Sequence, residues 1–384
     1  MDTRELIYLD NAATSFPKPC SVIDKMSDFM RYHGGNAGRG AHKLALDAAE
    51  AIYGCRERLC RLFDCDGPER VCFCSGATEA LNIAVKGLIR RGDHVLISDL
   101  EHNAVLRPIN RLWREGMIDY SVFDSMIDDP QRSPSKICAK IATLMRKNTR
   151  MLICTGASNI CSATMPLREI GELCRRSGVI FVVDAAQCAG HLPISQSEMN
   201  IDALCLPGHK GLLGTQGCGA VIFGKGIEPK GLVEGGNGVL SLDREMNGDL
   251  PERLEAGTLP TPAIVGLCEG ARIVEELGVE RIGEHERALF RLCRDTLERI
   301  DGVRVICPSH EGSVLLFVHD RFGSEEIAAR LSDMNICVRG GYHCCALGHR
   351  RLGTEKTGAV RVSFGVFNSS DDVEALADAI SSLK

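Results

Sequence analysis

The sequence lacks several features that would assign it to particular classes of protein. No apolar run approaches the roughly 20 residues that a membrane-spanning helix needs, and the opening MDTRELIYLD has no apolar signal-peptide core. The net charge of −6 is not gathered into a block of like charge, which argues against nucleic acid as the main partner. We therefore expect a cytoplasmic protein that binds neither membranes nor nucleic acid.

The spacing of the cysteines also excludes common metal sites. The chain has nineteen cysteines but no Cys-x-x-Cys pair, only Cys72-x-Cys74 and the adjacent Cys344-Cys345. Zinc ribbons and ferredoxin-like clusters need that missing spacing, so we predict no metal site. A cytosolic chain of this length needs no disulfide framework, and cysteines within apolar runs behave as small hydrophobic side chains.

Length and patterning predict two α/β domains. At 384 residues the chain exceeds the usual size of a single core. Short apolar strands alternate with helices over about residues 65–225, which predicts a mostly parallel sheet with helices on both faces. Two helical stretches and further short strands follow from Ala263. We predict an N-terminal segment (1–15) that packs with the small domain, a large domain (16–262) and a smaller α+β domain (263–384).

The stretch from Val179 to Lys210 carries the first chemical signal. Its apolar run ends on Asp184, and a second short apolar run is followed by His209 and Lys210. Ligands of open α/β sheets bind at the carboxyl ends of the strands, where both polar groups would lie. A pyridoxal phosphate enzyme needs a lysine for the Schiff base and an aspartate against the pyridinium nitrogen. The alternative is an ordinary strand end and a solvated lysine.

Other polar residues occupy similar positions. Ser75-Gly76-Ala77-Thr78-Glu79 follows a short strand and begins a helix, an arrangement that suits a phosphate. An ordinary N-cap at Ser75 or Thr78 is the alternative. His102 and Asn159 also come just after predicted strands, and a glycine-rich loop carries Arg39 and His42.

Short stretches in order along nearly the whole chain carry a family resemblance. They are YLDNAAT, GRGAH, SGATEALN, EHNAV, ASN, VDAAQ, GHKG, EAGT and RGGYHC. With them the sequence resembles the cysteine desulfurases of the class V aminotransferase branch of fold-type I pyridoxal phosphate enzymes. The resemblance implies a fold-type I transferase fold, pyridoxal 5'-phosphate as cofactor and L-cysteine as substrate. It also implies a homodimer and a protein partner that accepts sulfur.

The resemblance implies roles around the cofactor ring. Lys210 would hold the cofactor and move the α-proton of the amino acid. Asp184 would pair with the pyridinium nitrogen, His102 would stack on the ring, and Gln187 would bond the ring hydroxyl.

The resemblance also places the phosphate. Ala77, Thr78 and His209 would bind it, and Thr258 would reach across a dimer interface to the phosphate of the partner. Pro207 departs from the family pattern, in which a hydroxyl residue three positions before the lysine helps to hold the phosphate. Proline has neither a hydroxyl nor an N–H, so the phosphate is bound more weakly or a neighbouring residue takes the place of the hydroxyl.

The substrate would lie between Arg361, which clamps its carboxylate with help from Asn159, and Cys344. Arg339 lies five residues before Cys344. The thiolate of Cys344 would take the sulfur of cysteine as a persulfide and leave alanine, and His343 or Arg339 would help by lowering the thiol pKa from its usual value of about 8.5. For Cys345 we favour a packing role over a part in persulfide relay.

Two alternative functions follow from the same residues. Selenocysteine lyase activity, or another reaction of the class V aminotransferase fold such as transamination, would use the same scaffold. A non-catalytic cysteine-rich metal-binding protein is the alternative from a different class, and the missing ligand spacings argue against it.

Overall fold

The computed structural model describes residues 6–38, 40–239, 241–246, 248–307 and 309–383. Arg39, predicted to share a loop with His42, lies outside the described residues, as do residues 1–5 of the N-terminal segment. Within these ranges no helix combines the length and the apolar character needed to cross a membrane.

Strands and helices alternate along most of the chain. The strands are β1 (Ile7–Tyr8), β2 (Val71–Cys74), β3 (Asp93–Ser98), β4 (Ile118–Phe123), β5 (Thr149–Thr155), β6 (Ile180–Asp184), β7 (Ala203–Pro207), β8 (Gly219–Phe223), β9 (Val303–Ile306), β10 (Val314–His319), β11 (Ile336–Cys337) and β12 (Val360–Ser363). The helices are α1 (Cys20–Tyr32), α2 (Lys43–Phe63), α3 (Ala77–Leu88), α4 (Asn103–Arg114), α5 (Pro134–Leu144), α6 (Leu167–Ser177), α7 (Thr261–Leu277), α8 (Val279–Leu297), α9 (Ser324–Asp333), α10 (Ala346–Arg351) and α11 (Ser370–Ser381).

Seven strands form a central sheet in the order β2-β8-β7-β6-β5-β3-β4. Strand β8 runs antiparallel to both of its neighbours, and the remaining pairs are parallel. The prediction of a mostly parallel α/β sheet is therefore confirmed. Thr155 of β5 pairs with Asp184, and Asp184 pairs with Cys205 of β7, so three strands end at the same edge.

Both faces of this sheet are buried. Successive residues of a strand point to opposite faces, and in β6 Phe181 and Val183 join one core while Val182 joins the other. Helices α2, α6 and α7 cover the first face, and α3 and α4 cover the second. Burial on both sides explains why these strands are continuous apolar runs rather than alternating patterns.

A smaller antiparallel sheet, in the order β12-β10-β9, packs with α8, α9 and α11 around a separate core. The N-terminal strand β1 pairs in parallel with β11, and Leu9 enters that core. The division at residue 262 stays a proposal. Because α7 packs against α1 and α2 in the core of the large sheet, the packing favours a boundary nearer the end of α7.

Substitution of two mid-helix glycines would show how tightly each helix packs against its surroundings. A Cβ at Gly171 in α6 would collide with the carbonyl oxygen of Met199, whereas a Cβ at Gly54 in α2 would meet nothing within 4 Å. We predict that Gly54→Ala raises the free energy of unfolding by about 1 kcal/mol, since alanine favours a helix. We predict that Gly171→Ala lowers it by about 1–3 kcal/mol through overpacking. Urea unfolding of both variants checks this, and a stabilised Gly171→Ala would contradict it.

Candidate functional site

A cavity of ≈ 430 Å³ lies at the carboxyl edge of β5, β6 and β7. Asp184 ends β6, is 3% exposed and accepts a hydrogen bond from the backbone N–H of Ala186 at 2.9 Å. Lys210 follows β7 and lines the same cavity. Burial lowers the pKa of Lys210 to about 8, although the charge of Asp184 acts in the opposite direction. The topology therefore brings together the predicted lysine and aspartate.

The first turn of α3 forms one end of the cavity, and Ala77, Thr78 and His209 are all among the residues that line the cavity. The N-cap of α3 is Gly76, with φ 151° and no side-chain cap, so the alternative of an N-cap at Ser75 or Thr78 is wrong. The first N–H groups of a helix have no intrahelical acceptor, and here no side chain caps them. This end of the cavity fits an anion.

His209 faces the same end in its neutral form. Burial, followed by the charges of Lys210 and Lys18, lowers its pKa to about 4. Its Nδ1 atom is buried and has no hydrogen-bond partner in the part of the chain that the structure describes. A buried polar atom without a partner is unusual in a folded protein, so this ring nitrogen fits a ligand that is bound in the cavity.

His102 and Gln187 line the middle of the cavity. His102 caps α4, because its Nδ1 accepts a hydrogen bond from the N–H of Ala104 at 3.0 Å. Burial lowers the pKa of His102, which favours the neutral ring. Gln187 donates from Nε2 to the carbonyl of Ala12 at 2.9 Å. This hydrogen bond fixes the orientation of the amide and leaves its oxygen to accept a hydrogen bond from a ligand. Both side chains are thus held in one orientation.

Arg361, a residue of β12, also lines the cavity. It is 2% exposed, and its Nη2 forms a 2.6 Å ion pair with Asp10. Its Nη1 donates to the backbone oxygen of Asn159 at 3.3 Å, while its Nε is buried without a partner. Asp10 is a residue to which sequence reasoning assigned no role, although it lies within the YLDNAAT stretch. The ion pair keeps the guanidinium charged and fixes its plane.

Asn159 and Arg339 complete that wall. The Asn159 side chain donates to the backbone oxygen of His343. It therefore holds the loop that carries His343 and Cys344, and it also lines the cavity. Arg339 pairs with Arg361 through backbone hydrogen bonds of 3.2 and 2.8 Å. Two arginines from neighbouring backbone segments therefore border the same space.

The loop that carries Cys344 is held by several hydrogen bonds. The carbonyl of Cys344 accepts from the N–H of Asn103 at 2.7 Å, and the Tyr342 hydroxyl donates to the carbonyl of Glu355 at 3.0 Å. Cys344 is half-buried and has a φ of 55°, which is strained for a residue with a side chain. Strain of this kind is typical of functional sites. His343, the preceding residue, lines the cavity.

Two expectations about this loop meet different outcomes. Burial, followed by the charge of Arg361, lowers the pKa of His343 to about 3, which favours a neutral ring. Of the two residues expected to lower the thiol pKa of Cys344, this favours Arg339 over His343, and the role itself stays a prediction. Cys345 is 1% exposed, and its thiol donates to the carbonyl of Leu100 at 3.3 Å within an apolar cluster. These contacts favour the packing role over the relay.

Thr258 lies apart from the other predicted residues. Its hydroxyl accepts a 3.3 Å hydrogen bond from Asn36, near a groove lined by Gly257 and Tyr53. Within one chain Thr258 therefore does not join the cavity that contains Lys210.

Glu101 is a buried acid that sequence reasoning passed over, although it directly precedes His102. It is fully buried, and one carboxyl oxygen accepts from Ser98 and, at 2.9 Å, from the N–H of Thr155. Burial, with a further contribution from the charge of Asp184, raises its pKa to about 8. At neutral pH the group therefore holds a proton close to Asp184.

Three comparisons with known proteins agree on one family. The family model described as "Aminotransferase class-V" matches residues 7–376. A protein of Methanothermobacter thermautotrophicus, named a probable cysteine desulfurase, is 30% identical over 388 residues, which cover 98% of this chain and 94% of that protein. A cysteine desulfurase of Synechococcus elongatus is 32% identical over 98% of this chain, but this chain spans only 60% of that longer protein.

A solved structure shows the same likeness. The apo structure of a cysteine desulfurase from Thermococcus onnurineus superposes with a TM-score of 0.89 at 29% identity, covering 99% of this chain and 94% of that one. The central sheet, its helices and the smaller antiparallel sheet thus form an arrangement that this relative shares.

The protonated state of Glu101 predicts a specific pH dependence. Between the unfolded pKa of about 4.5 and the folded value of about 8, the folded chain keeps a proton that the unfolded chain releases. Stability should therefore fall as pH rises through this range. Glutamine resembles the protonated acid, so Glu101→Gln should flatten the decline and gain stability relative to the parent at the upper end. Urea unfolding at both ends of the range checks this, with the exposed Glu57→Gln as control. An equal decline in parent and Glu101→Gln would contradict it.

Proposed function

Because the chain belongs to the class V aminotransferase family, we propose that it is a pyridoxal phosphate-dependent cysteine desulfurase. It converts L-cysteine to L-alanine and leaves the sulfur as a persulfide on Cys344. One observation carries the proposal: a half-buried lysine and a buried aspartate share a cavity with two arginines, and a strained cysteine lies on the loop that borders it. The name that the relatives carry supports the same reaction.

The residues around the cavity fit pyridoxal phosphate. The uncapped start of α3 and the unpartnered Nδ1 of His209 suit its phosphate, and Asp184 suits its ring nitrogen. His102 lies where a ring could stack, and the fixed amide of Gln187 presents an oxygen to the ring hydroxyl. When bound, this cofactor withdraws electrons from the α-carbon of an amino acid.

Lys210 is suited both to hold the cofactor and to move a proton. An amine must be neutral to act as a nucleophile or a base, and the pKa of about 8 leaves a useful neutral fraction near pH 7. The charge of Asp184 limits this fall in pKa, so the amine can still take up a proton. We assign to Lys210 the removal of the α-proton.

Arg361 binds the carboxylate of the substrate. Its Nε has no partner, and the ion pair with Asp10 holds the guanidinium in place. Arg339 adds a second positive charge at the same wall, and Asn159 aligns the His343 carbonyl. An α-amino acid held this way keeps its carboxylate against Arg361 and Arg339.

Cys344 performs the sulfur step. Its thiolate attacks the sulfur of the substrate, an S–S bond forms, and the C–S bond breaks. The electron pair of that bond goes to the carbon, whose protonation leaves alanine. Since His343 is neutral, Arg361 is a cation whose charge acts on the Cys344 thiol, and Arg339 lines the neighbouring cavity. The persulfide then passes to a thiol of an acceptor protein or is reduced by an added dithiol.

The adjacent cysteines provide a matched test. With L-cysteine and a dithiol the parent should release alanine and sulfide in equal amounts. Cys344→Ser should lose at least about 99% of this activity, because the nucleophile is gone, while it still binds the cofactor. Cys345→Ser should keep most activity, since its thiol packs against Leu100.

Mass spectrometry of the parent after one turnover should locate the extra sulfur on Cys344. Persulfide on Cys345, together with an active Cys344→Ser, would contradict the assignment. Release of a keto acid instead of alanine would favour transamination.

We also propose a homodimer. Thr258 lies away from the cavity of its own chain, which supports a role in the site of a partner. Large apolar side chains are exposed on α1 and α2, including Tyr32 at 66% and Tyr53 at 52%, and they offer a surface for a second copy. Sedimentation should give a dimer, and Thr258→Ala should bind the cofactor more weakly. A monomer that keeps full activity on dilution would contradict this.

A reducing compartment, the cytoplasm, is the location we propose. Seventeen cysteines are free thiols, and Cys60 and Cys65 are joined by a disulfide. A chain in which most thiols stay free suits a reducing environment.

A further inference from the structure

Lys18 lies beside the peptide that precedes the catalytic lysine. Its Nζ donates to the carbonyl of His209 at 2.8 Å and to the hydroxyl of Ser15 at 2.7 Å. The backbone N–H of Ser15 and the hydroxyl of Thr14 also donate to that carbonyl, each at 3.0 Å. The N-terminal segment thus places an ammonium group next to the His209–Lys210 peptide.

The charge of Lys18 has no partner among the described residues. The side chain is half-buried, burial lowers its pKa to about 8, and no carboxylate in the described ranges forms an ion pair with it. A half-buried charge without a counter-charge loses part of its hydration, which is costly to the fold. An anion bound in the neighbouring cavity would supply the missing charge.

The phosphate end of the cavity needs a positive charge. Among the described residues that line the cavity, the cationic ones are Lys210, Arg339 and Arg361. Lys210 is occupied by the cofactor ring and the arginines by the substrate. Pro207 lines the cavity where the family pattern has a hydroxyl. Uncapped N–H groups and a neutral His209 remain to hold a dianion.

Lys18 is placed to supply that charge. It lies against the backbone of His209, whose side chain faces the phosphate end. Its positive charge also contributes to lowering the pKa of the His209 ring, so its field reaches that ring. His209 and Lys18 are both half-buried, so solvent screens their interaction less than it would screen two exposed groups.

We propose that Lys18 is a positioning and charge-compensating residue for the cofactor phosphate, and that it offsets the hydroxyl missing at Pro207. The proposal rests on the proposed cofactor. It assigns to Lys18 no contact with the reacting atoms.

Two ligands separate the effect of charge from a structural effect. Pyridoxal phosphate and pyridoxal share the ring, but pyridoxal has no phosphate. The full chain, freed of cofactor, is titrated with each ligand, and binding is followed by absorbance. Lys18→Met should weaken binding of pyridoxal phosphate about tenfold, as expected for one charge acting at a distance on a dianion. Pyridoxal binding should stay unchanged.

Further variants keep the test decisive. Lys18→Gln can still donate to the His209 carbonyl but lacks the charge, so it should behave like Lys18→Met and replaces it if the methionine variant does not fold. Lys18→Arg keeps the charge and should bind pyridoxal phosphate like the parent. Lys25→Met, on the exposed face of α1, is the control.

Three results would overturn the inference. In the first, Lys18→Gln loses as much affinity for pyridoxal as for pyridoxal phosphate. In the second, Lys18→Gln binds pyridoxal phosphate as tightly as the parent does. In the third, Lys18→Arg loses as much affinity for pyridoxal phosphate as Lys18→Gln does. A parent chain that binds neither ligand would instead refute the proposed cofactor.

Discussion

The register of two neighbouring parallel strands holds Asp184 and Lys210 at one sheet edge, and the remaining site is arranged around this pair. Asp184 ends β6 opposite Cys205 of β7, and Lys210 follows where β7 ends. Burial opposes the charge of Lys210, and the carboxylate of Asp184 acts in the opposite direction. The lowered pKa of Lys210 follows directly from this balance and gives the amine the reactivity that the proposed chemistry needs.

The N-terminal segment connects the two halves of the molecule across the cavity. β1 pairs with β11 of the smaller sheet, and Asp10 then fixes Arg361. Immediately afterwards, Ala12 accepts from Gln187, and Lys18 reaches His209. A single stretch of chain thereby holds groups at the substrate end, the ring and the phosphate end of the proposed site. Displacement of this segment would disturb all three at once.

The fold was largely predictable because the strands of a sheet that is buried on both faces have continuous apolar sequences. Strands β3, β5, β6 and β7 were all predicted in this way. Strand β4 was missed, since its IDYSVF pattern carries polar residues and the strand forms an edge of the sheet. Strand β11 has two residues and helix α10 has six, too short for periodicity to appear. Helix α7 packs with the large sheet, and no local pattern reveals which core a helix joins.

Most of the residues to which the family motifs pointed line one cavity, whereas Thr258 lies apart from it, and the protonation states could not be predicted from the sequence. The family motifs pointed to the side chains that line the cavity, but protonation depends on burial and on partners distant in the chain. The neutral state of His343 and the protonated state of Glu101 both arise from burial. The ion pair between Asp10 and Arg361 joins residues at the two ends of the sequence. Residue spacing carries no information about contacts of this kind.

The variant Lys210→Ala provides the most direct test of the central claim, that the half-buried Lys210, which shares its cavity with Asp184, drives the chemistry. The parent supplied with pyridoxal phosphate should show the absorbance of a lysine-bound cofactor and should form alanine from cysteine. Lys210→Ala should lose both the absorbance and the turnover while keeping its fold by circular dichroism. Alanine release by the variant at the rate of the parent would contradict the account.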